Sequence, residues 1–118
     1  MLYEIKTAKK YDNDIPVKYF ADEYFDLTTW FDENNNIISF QLTHDKFHRP
    51  HALTWREEHG YMHNKIDEGE RPGRFKQSPI LLPDGIFPKK DVARRFEEAS
   101  RNIDRSIAVF VLSKLLEA

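Results

Sequence analysis

A chain of 118 residues with 40% hydrophobic and 14% aromatic content can bury one core without a covalent staple, which argues against wholesale disorder. It contains no cysteine, and that removes disulfides, thiolate catalysis and cysteine-ligated zinc together. Eighteen Lys and Arg against twenty Asp and Glu leave a net charge of −2, a poor match for a nucleic-acid partner.

From the N-terminus, LYEIKT reads as a short edge strand and YDND as a turn, while Pro16 keeps IPVKYF extended. The signal strengthens at Tyr24. YFDLTTWFD alternates and is rich in aromatic and β-branched residues, and the ENNN that follows is a turn. IISFQLTH is the next strand, DKFHRP a loop, HALTWREE a third strand, His59-Gly60 a tight turn and YMHNKI a fourth strand. Strands joined this way predict an antiparallel meander over 24–66. Residues 67–88 hold three of the four glycines and four of the six prolines and read as loop, with PILL as a short extended piece.

Beyond the loop, Val92, Phe96, Ala99, Ile103, Ile107, Phe110 and Leu115 recur at helical spacing through 89–117, and Pro88 suits a first helical turn. A break near Ser100-Arg101-Asn102 leaves one helix or two open. The segment IAVFVL at 107–112 is apolar nearly all round. That implies deep burial or a partner surface, so Ile107, Phe110 and Val111 mark a candidate homodimer contact. The segment is far short of the ~20 residues that span a membrane. The first twenty residues also lack the apolar stretch of a signal peptide. A cytoplasmic protein without a membrane partner is expected.

Strand parity gives the four strands two faces, because successive side chains point to opposite sides. A turn centred on Asn34-Asn35 pairs Asp32 with Ile37, Trp30 with Ser39 and Thr28 with Gln41. The loop at 45–50 pairs His44 with His51, Leu42 with Leu53 and Phe40 with Trp55. The His59-Gly60 turn pairs Glu58 with Tyr61, Arg56 with His63 and Trp55 with Asn64. One face then collects Phe25, Leu27, Phe31, Ile38, Phe40, Leu42, Leu53, Trp55, Met62 and Ile66, a core face for the C-terminal helix to cover. The opposite face is polar.

All five histidines lie in HDKFHRPHALTWREEHGYMH, residues 44–63. This register scatters them. At most His44, His48 and His51, with Asp45 as a fourth ligand, could converge on a metal ion. The simpler reading is a polar hairpin tip, so no metal and no cofactor is expected. His63 falls on the polar face. There Trp30, Ser39, Arg56 and His63 form one row, with Gln41, Thr54 and Lys65 in the next. A cation, an imidazole, hydroxyls, an amide and an aromatic plate on one surface suit a small polar ligand or a protein partner.

No nucleophile elbow, phosphate-binding glycine loop or calcium loop occurs in the sequence. The leading expectation is therefore a non-enzymatic binding domain. The alternative is a small hydrolase or lyase with His63 as general base and Arg56 as anion anchor. The stretches WFDENNNIISFQLTHDK, HALTW and GYMHNKIDEGE, ending in a charged amphipathic helix, resemble a group of small, uncharacterised bacterial single-domain proteins. The resemblance implies a compact α+β domain and carries no activity, cofactor or site residue with it. The expected architecture is one domain over 1–118, a four- to five-stranded antiparallel sheet packed on one face by one or two C-terminal helices.

Overall fold

The alternating segments form strands, and the N-terminal twenty residues add more strands than their weak periodicity announces. The computed structural model describes residues 1–7, 9–67, 80–83 and 87–118. In chain order these form β1 (Tyr3–Glu4), β2 (Tyr11–Asp12), β3 (Ile15–Ala21), β4 (Phe25–Phe31), β5 (Ile37–His44), β6 (His51–Arg56), β7 (Gly60–Asp67) and β8 (Ile80–Pro83). Two helices follow, α1 (Lys89–Ala99) and α2 (Arg105–Glu117), separated by a short 3-10 turn at Ser100–Asn102. The fold is α+β, as expected.

The strand count exceeds the expected four or five. Seven strands run β1-β3-β4-β5-β6-β7-β8, all neighbours antiparallel, and β2 pairs with β3 outside this path. β1 meets the C-terminal end of β3 (Glu4 opposite Phe20), whereas β2 meets its N-terminal end (Tyr11 opposite Pro16). Two short strands thus serve one long one. The β2–β3 turn places Asn13 and Asp14 at φ 51° and 67°, the left-handed geometry of a tight hairpin that Asn and Asp tolerate best.

The register at the centre of the sheet follows from parity. Trp30 faces Ser39, Thr28 faces Gln41, Phe40 faces Trp55, and His44 faces His51. One irregularity lies between Trp30 and Phe31, so that Phe31, not Asp32, faces Ile37. Asp32 is instead absorbed in the turn, where its Oδ1 accepts the backbone N–H of Asn34 and of Asn36, each at 2.9 Å. Those hydrogen bonds, the Asn36 N–H first, hold its carboxyl below the usual carboxylate range.

The last hairpin departs from expectation. Arg56 pairs with Gly60 and Leu53 with His63, so Glu57–His59 make the turn and Gly60, at φ +74°, begins β7. Relative to the expected Arg56–His63 pair, β7 has slipped by three residues. An odd slip reverses every side chain on the strand. Met62, assigned to the core face, is 58% exposed opposite Thr54. Ile66 is buried on the opposite side of the sheet, beside Phe47 and Pro50. His63 moves to the core-facing side. Ile38 is likewise displaced, lining a polar-face groove while Ile37 packs against the core.

Beneath the sheet, Phe25, Leu27, Phe40, Leu42 and Leu53 meet Val92, Phe96, Ile107, Val111 and Leu115 of the helices. Phe25 and Phe96 touch edge to face at 5.8 Å between centroids, and Trp55 meets Phe110 at 5.3 Å. Each such large side chain taken out of water contributes about 1.5–3 kcal/mol. Thr29 sits fully buried among them, its hydroxyl donating to the Lys18 carbonyl at 3.3 Å.

The helical segment divides where the break was suspected, because Asp104 caps a second helix. Its Oδ1 accepts the N–H groups of Ser106 at 2.9 Å and Ile107 at 3.3 Å. Pro88 stands at the cap position of α1, one residue ahead of the first turn. Ile107 and Val111 are buried in this chain's own core and Phe110 packs against it. The apolar run is thus used within the chain's own core. Among the described residues no helix is long and apolar enough to cross a membrane. Most of the expected 67–88 loop lies outside the described residues, and Ile80–Pro83 within it is strand.

Candidate functional site

On the sheet face away from the helices, β4, β5 and β6 set Trp30, Ser39 and Arg56 in one row and Thr28, Gln41 and Thr54 in the next. Five of the seven residues nominated from sequence, Trp30, Ser39, Gln41, Thr54 and Arg56, line a single groove of about 450 Å3. Its walls come from segments that parity alone did not place there. Asp12 and Ile15 of the β2–β3 hairpin close one side, and Glu57, Glu58 and His59 of the β6–β7 turn close the other. A hairpin folded against the sheet edge could have been suspected from the YDND turn, but nothing local in the sequence aims it at Trp30.

Inside the groove the polar groups differ in how far they are already engaged. The Trp30 indole N–H donates to Asp12 Oδ2 at 3.1 Å, tying the hairpin to the sheet. The Ser39 hydroxyl donates to the Trp55 carbonyl at 3.0 Å. Thr54 Oγ1 stands 3.5 Å from Gln41 Oε1, a long contact that a stronger partner would replace. Arg56 is exposed. Three carboxylates, Asp12, Glu57 and Glu58, stand around one guanidinium, so the groove is acidic on balance.

The other two nominated residues are elsewhere. Gly60 occupies the fourth place in the Arg56 row, leaving it open where His63 was expected. Lys65 pairs with His51 across β6–β7 and is exposed. His63 and Arg56 therefore lie on opposite faces of the sheet, and the structure does not bring together the pair on which the hydrolase or lyase alternative was built.

His63 instead joins His44 and His51 at one end of the core-facing side. Its Nε2 lies 3.0 Å from Nε2 of His44, the two rings parallel within 4°. His51 is 5.7 Å from His44 and 5.3 Å from His63, centroid to centroid. His51 Nδ1 donates to the Arg49 carbonyl at 2.8 Å. Phe87 covers the cluster edge-on, 5.1 Å from the His63 ring and 5.9 Å from the His44 ring. A hydrogen bond between two imidazole nitrogens needs one donor and one bare acceptor, so the His44–His63 contact requires an unprotonated nitrogen. Burial above all, then the neighbouring His63 and His51 rings, pulls the His44 pKa down to about 4, partly opposed by Asp45 and Asp91.

The cluster is not the metal site considered from sequence. His48 is 82% exposed and its Nδ1 lies 3.3 Å from Asp45 Oδ1, turned to solvent and away from the cluster. Among the described residues no three His, Asp or Glu side chains are arranged to hold a metal ion. The nitrogens of His44 and His63 that face one another are engaged with each other.

Comparison with protein-family models, curated proteins and solved structures finds no match. The geometry of the chain itself must therefore carry any functional reading.

Proposed function

We propose that this is a non-enzymatic binding domain whose polar-face groove takes a small polar ligand that carries an amine and hydrogen-bonding groups. The observation that carries the reading is the convergence of Trp30, Ser39, Gln41, Thr54 and Arg56 on one concavity of ligand size. An ammonium group suits the acidic walls, Asp12 on one side and Glu57 and Glu58 on the other, and the face of Trp30 favours a cation further. Arg56 and Gln41, on the sheet between those walls, supply donors for a carboxylate or carbonyl of the same ligand. The groove holds no nucleophile poised beside a base, which is why binding rather than turnover is the reading.

Screening a panel of amino acids, polyamines and other small amines by two-dimensional NMR tests this directly. A ligand of the proposed class should move the Trp30 indole N–H signal, and Arg56→Ala should weaken its binding about tenfold, the worth of one charge-assisted contact. The reading fails if no compound in the panel moves that signal. It also fails if Arg56→Ala and Trp30→Ala leave the affinity of every hit unchanged.

A further inference from the structure

A second concavity, separate from the polar-face groove, lies along the edge of β3. β1 and β2 occupy the two ends of that edge, and the chain between them carries Lys6, Lys9 and Lys10. Together with Lys18 of β3 these line a pocket of about 290 Å3. Its frame is fixed by backbone: the Ile5 N–H donates to the Tyr19 carbonyl at 2.8 Å, and the Val17 N–H to the Lys10 carbonyl at 2.9 Å. The type of turn between β2 and β3, with both central residues left-handed, stiffens the same wall.

Charge is the unusual feature. Four lysines and one acid, Glu4, line this pocket in a chain whose net charge is −2. Four cations elsewhere have a carboxylate partner: Lys46 reaches Asp26, Lys114 reaches Glu117, and Arg94 and Arg95 share Asp91. Among the described residues none of the four pocket lysines forms an ion pair. Lys18 lies over the Phe31 ring at 5.7 Å and acts electrostatically on Asp104 without pairing with it. Four cations gathered in a concavity lined by a single carboxylate create a positive potential that an anion relieves. Tyr11, 63% exposed at the rim, offers a flat apolar surface beside that charge.

We infer that this pocket binds a small molecule bearing a diphosphate or longer phosphate chain, held by Lys6, Lys9, Lys10 and Lys18. A compact polyanion fits better than an extended one. The lysines come from two chain segments to line one hollow, and the adjoining hairpins carry Asp12, Asp14, Asp32 and Glu33, which would repel a strand of nucleic acid running past.

Isothermal titration of the full chain with inorganic pyrophosphate, at about 50 and 150 mM salt, tests the assignment. Binding should saturate at one site and weaken as salt rises. Lys6→Gln/Lys18→Gln should weaken it about tenfold, two exposed charge contacts' worth, while Lys6→Arg/Lys18→Arg retains it. Lys89→Gln/Lys90→Gln, on α1, should bind as the unaltered chain does. Circular dichroism establishes that each variant is folded. Three results overturn the inference: no saturable heat with pyrophosphate, an equal loss in the α1 control, or tighter binding of a single-stranded oligonucleotide than of pyrophosphate.

Discussion

Acidification should loosen this protein through His44. In the folded chain its pKa is pulled from 6.5 to about 4 by burial and by the two neighbouring imidazoles. The unfolded chain, with His44 near 6.5, therefore takes up the proton first. The sign follows from linkage: a depressed folded pKa gives stability that is present above about 6.5 and is lost as pH falls toward about 4. At ~1.36 kcal/mol per pKa unit the full interval corresponds to about 3 kcal/mol, and about 2 kcal/mol of it is gone by pH 5. Urea unfolding between about pH 7 and pH 5 measures that loss. His44→Leu, which keeps the site apolar and cannot titrate, should flatten the profile over the same interval even if its stability at neutral pH is lower. NMR of the His44 ring protons provides an independent reading, since the ring should stay neutral at pH 5. Equal pH slopes for the two proteins, or a His44 titration near its ordinary value, would refute the reasoning. The carboxyls of Asp91 and Asp104, held low by hydrogen bonds to Arg94 and Ser106, lose their contributions only at lower pH and do not blur that window.

Other expectations follow from single contacts. Asp104→Ala removes the cap of α2 and should cost about 1 kcal/mol, read as a lower melting temperature with unchanged near-ultraviolet signal. Gly60→Ala meets no atom within 4 Å, so its cost of about 1 kcal/mol should come from the left-handed backbone alone; Gly60→Asn should recover part of it in the same melt. Phe96→Ala empties the place where the helix meets Phe25 and should cost about 3–5 kcal/mol by chemical denaturation.

How much of this could be seen from residues alone depended on the turns. Between β4 and β6 the alternation is strong and the connections leave little choice, so parity places Phe40 against Trp55 and Trp30 against Ser39 as found. At Arg56-Glu57-Glu58-His59-Gly60 the chain offers two solutions. A glycine after histidine suggests a two-residue turn, but Gly60 can equally be the left-handed residue that re-enters the strand after a three-residue turn. The neighbouring YMHNKI does not arbitrate, because Met62 and Ile66 would suit a core face while Tyr61 and His63 tolerate either side. Burial of Ile66, whose backbone N–H donates to the Pro50 carbonyl at 2.9 Å, a contact distant in sequence, decides in favour of the second. The N-terminal pairings were hidden for a different reason: β1 and β2 have two residues each, too few for any period to register. That is also why the lysine-lined pocket and the Asp12 wall of the groove had no signature in the sequence.

The three-residue turn between β6 and β7 has a reach beyond its own geometry. One additional residue there, with the strands paired again on either side, would set His63 opposite Thr54 and Met62 opposite Trp55. The imidazole would pass from the capped cluster to the open groove beside Arg56, and the thioether would take its place under the sheet. Two surfaces on opposite sides of the molecule thus answer to one length: a single codon gained or lost at Glu57–His59, with the strands paired again, exchanges their chemistries while leaving β1 to β6 where they are and obliging β8 to pair anew along β7.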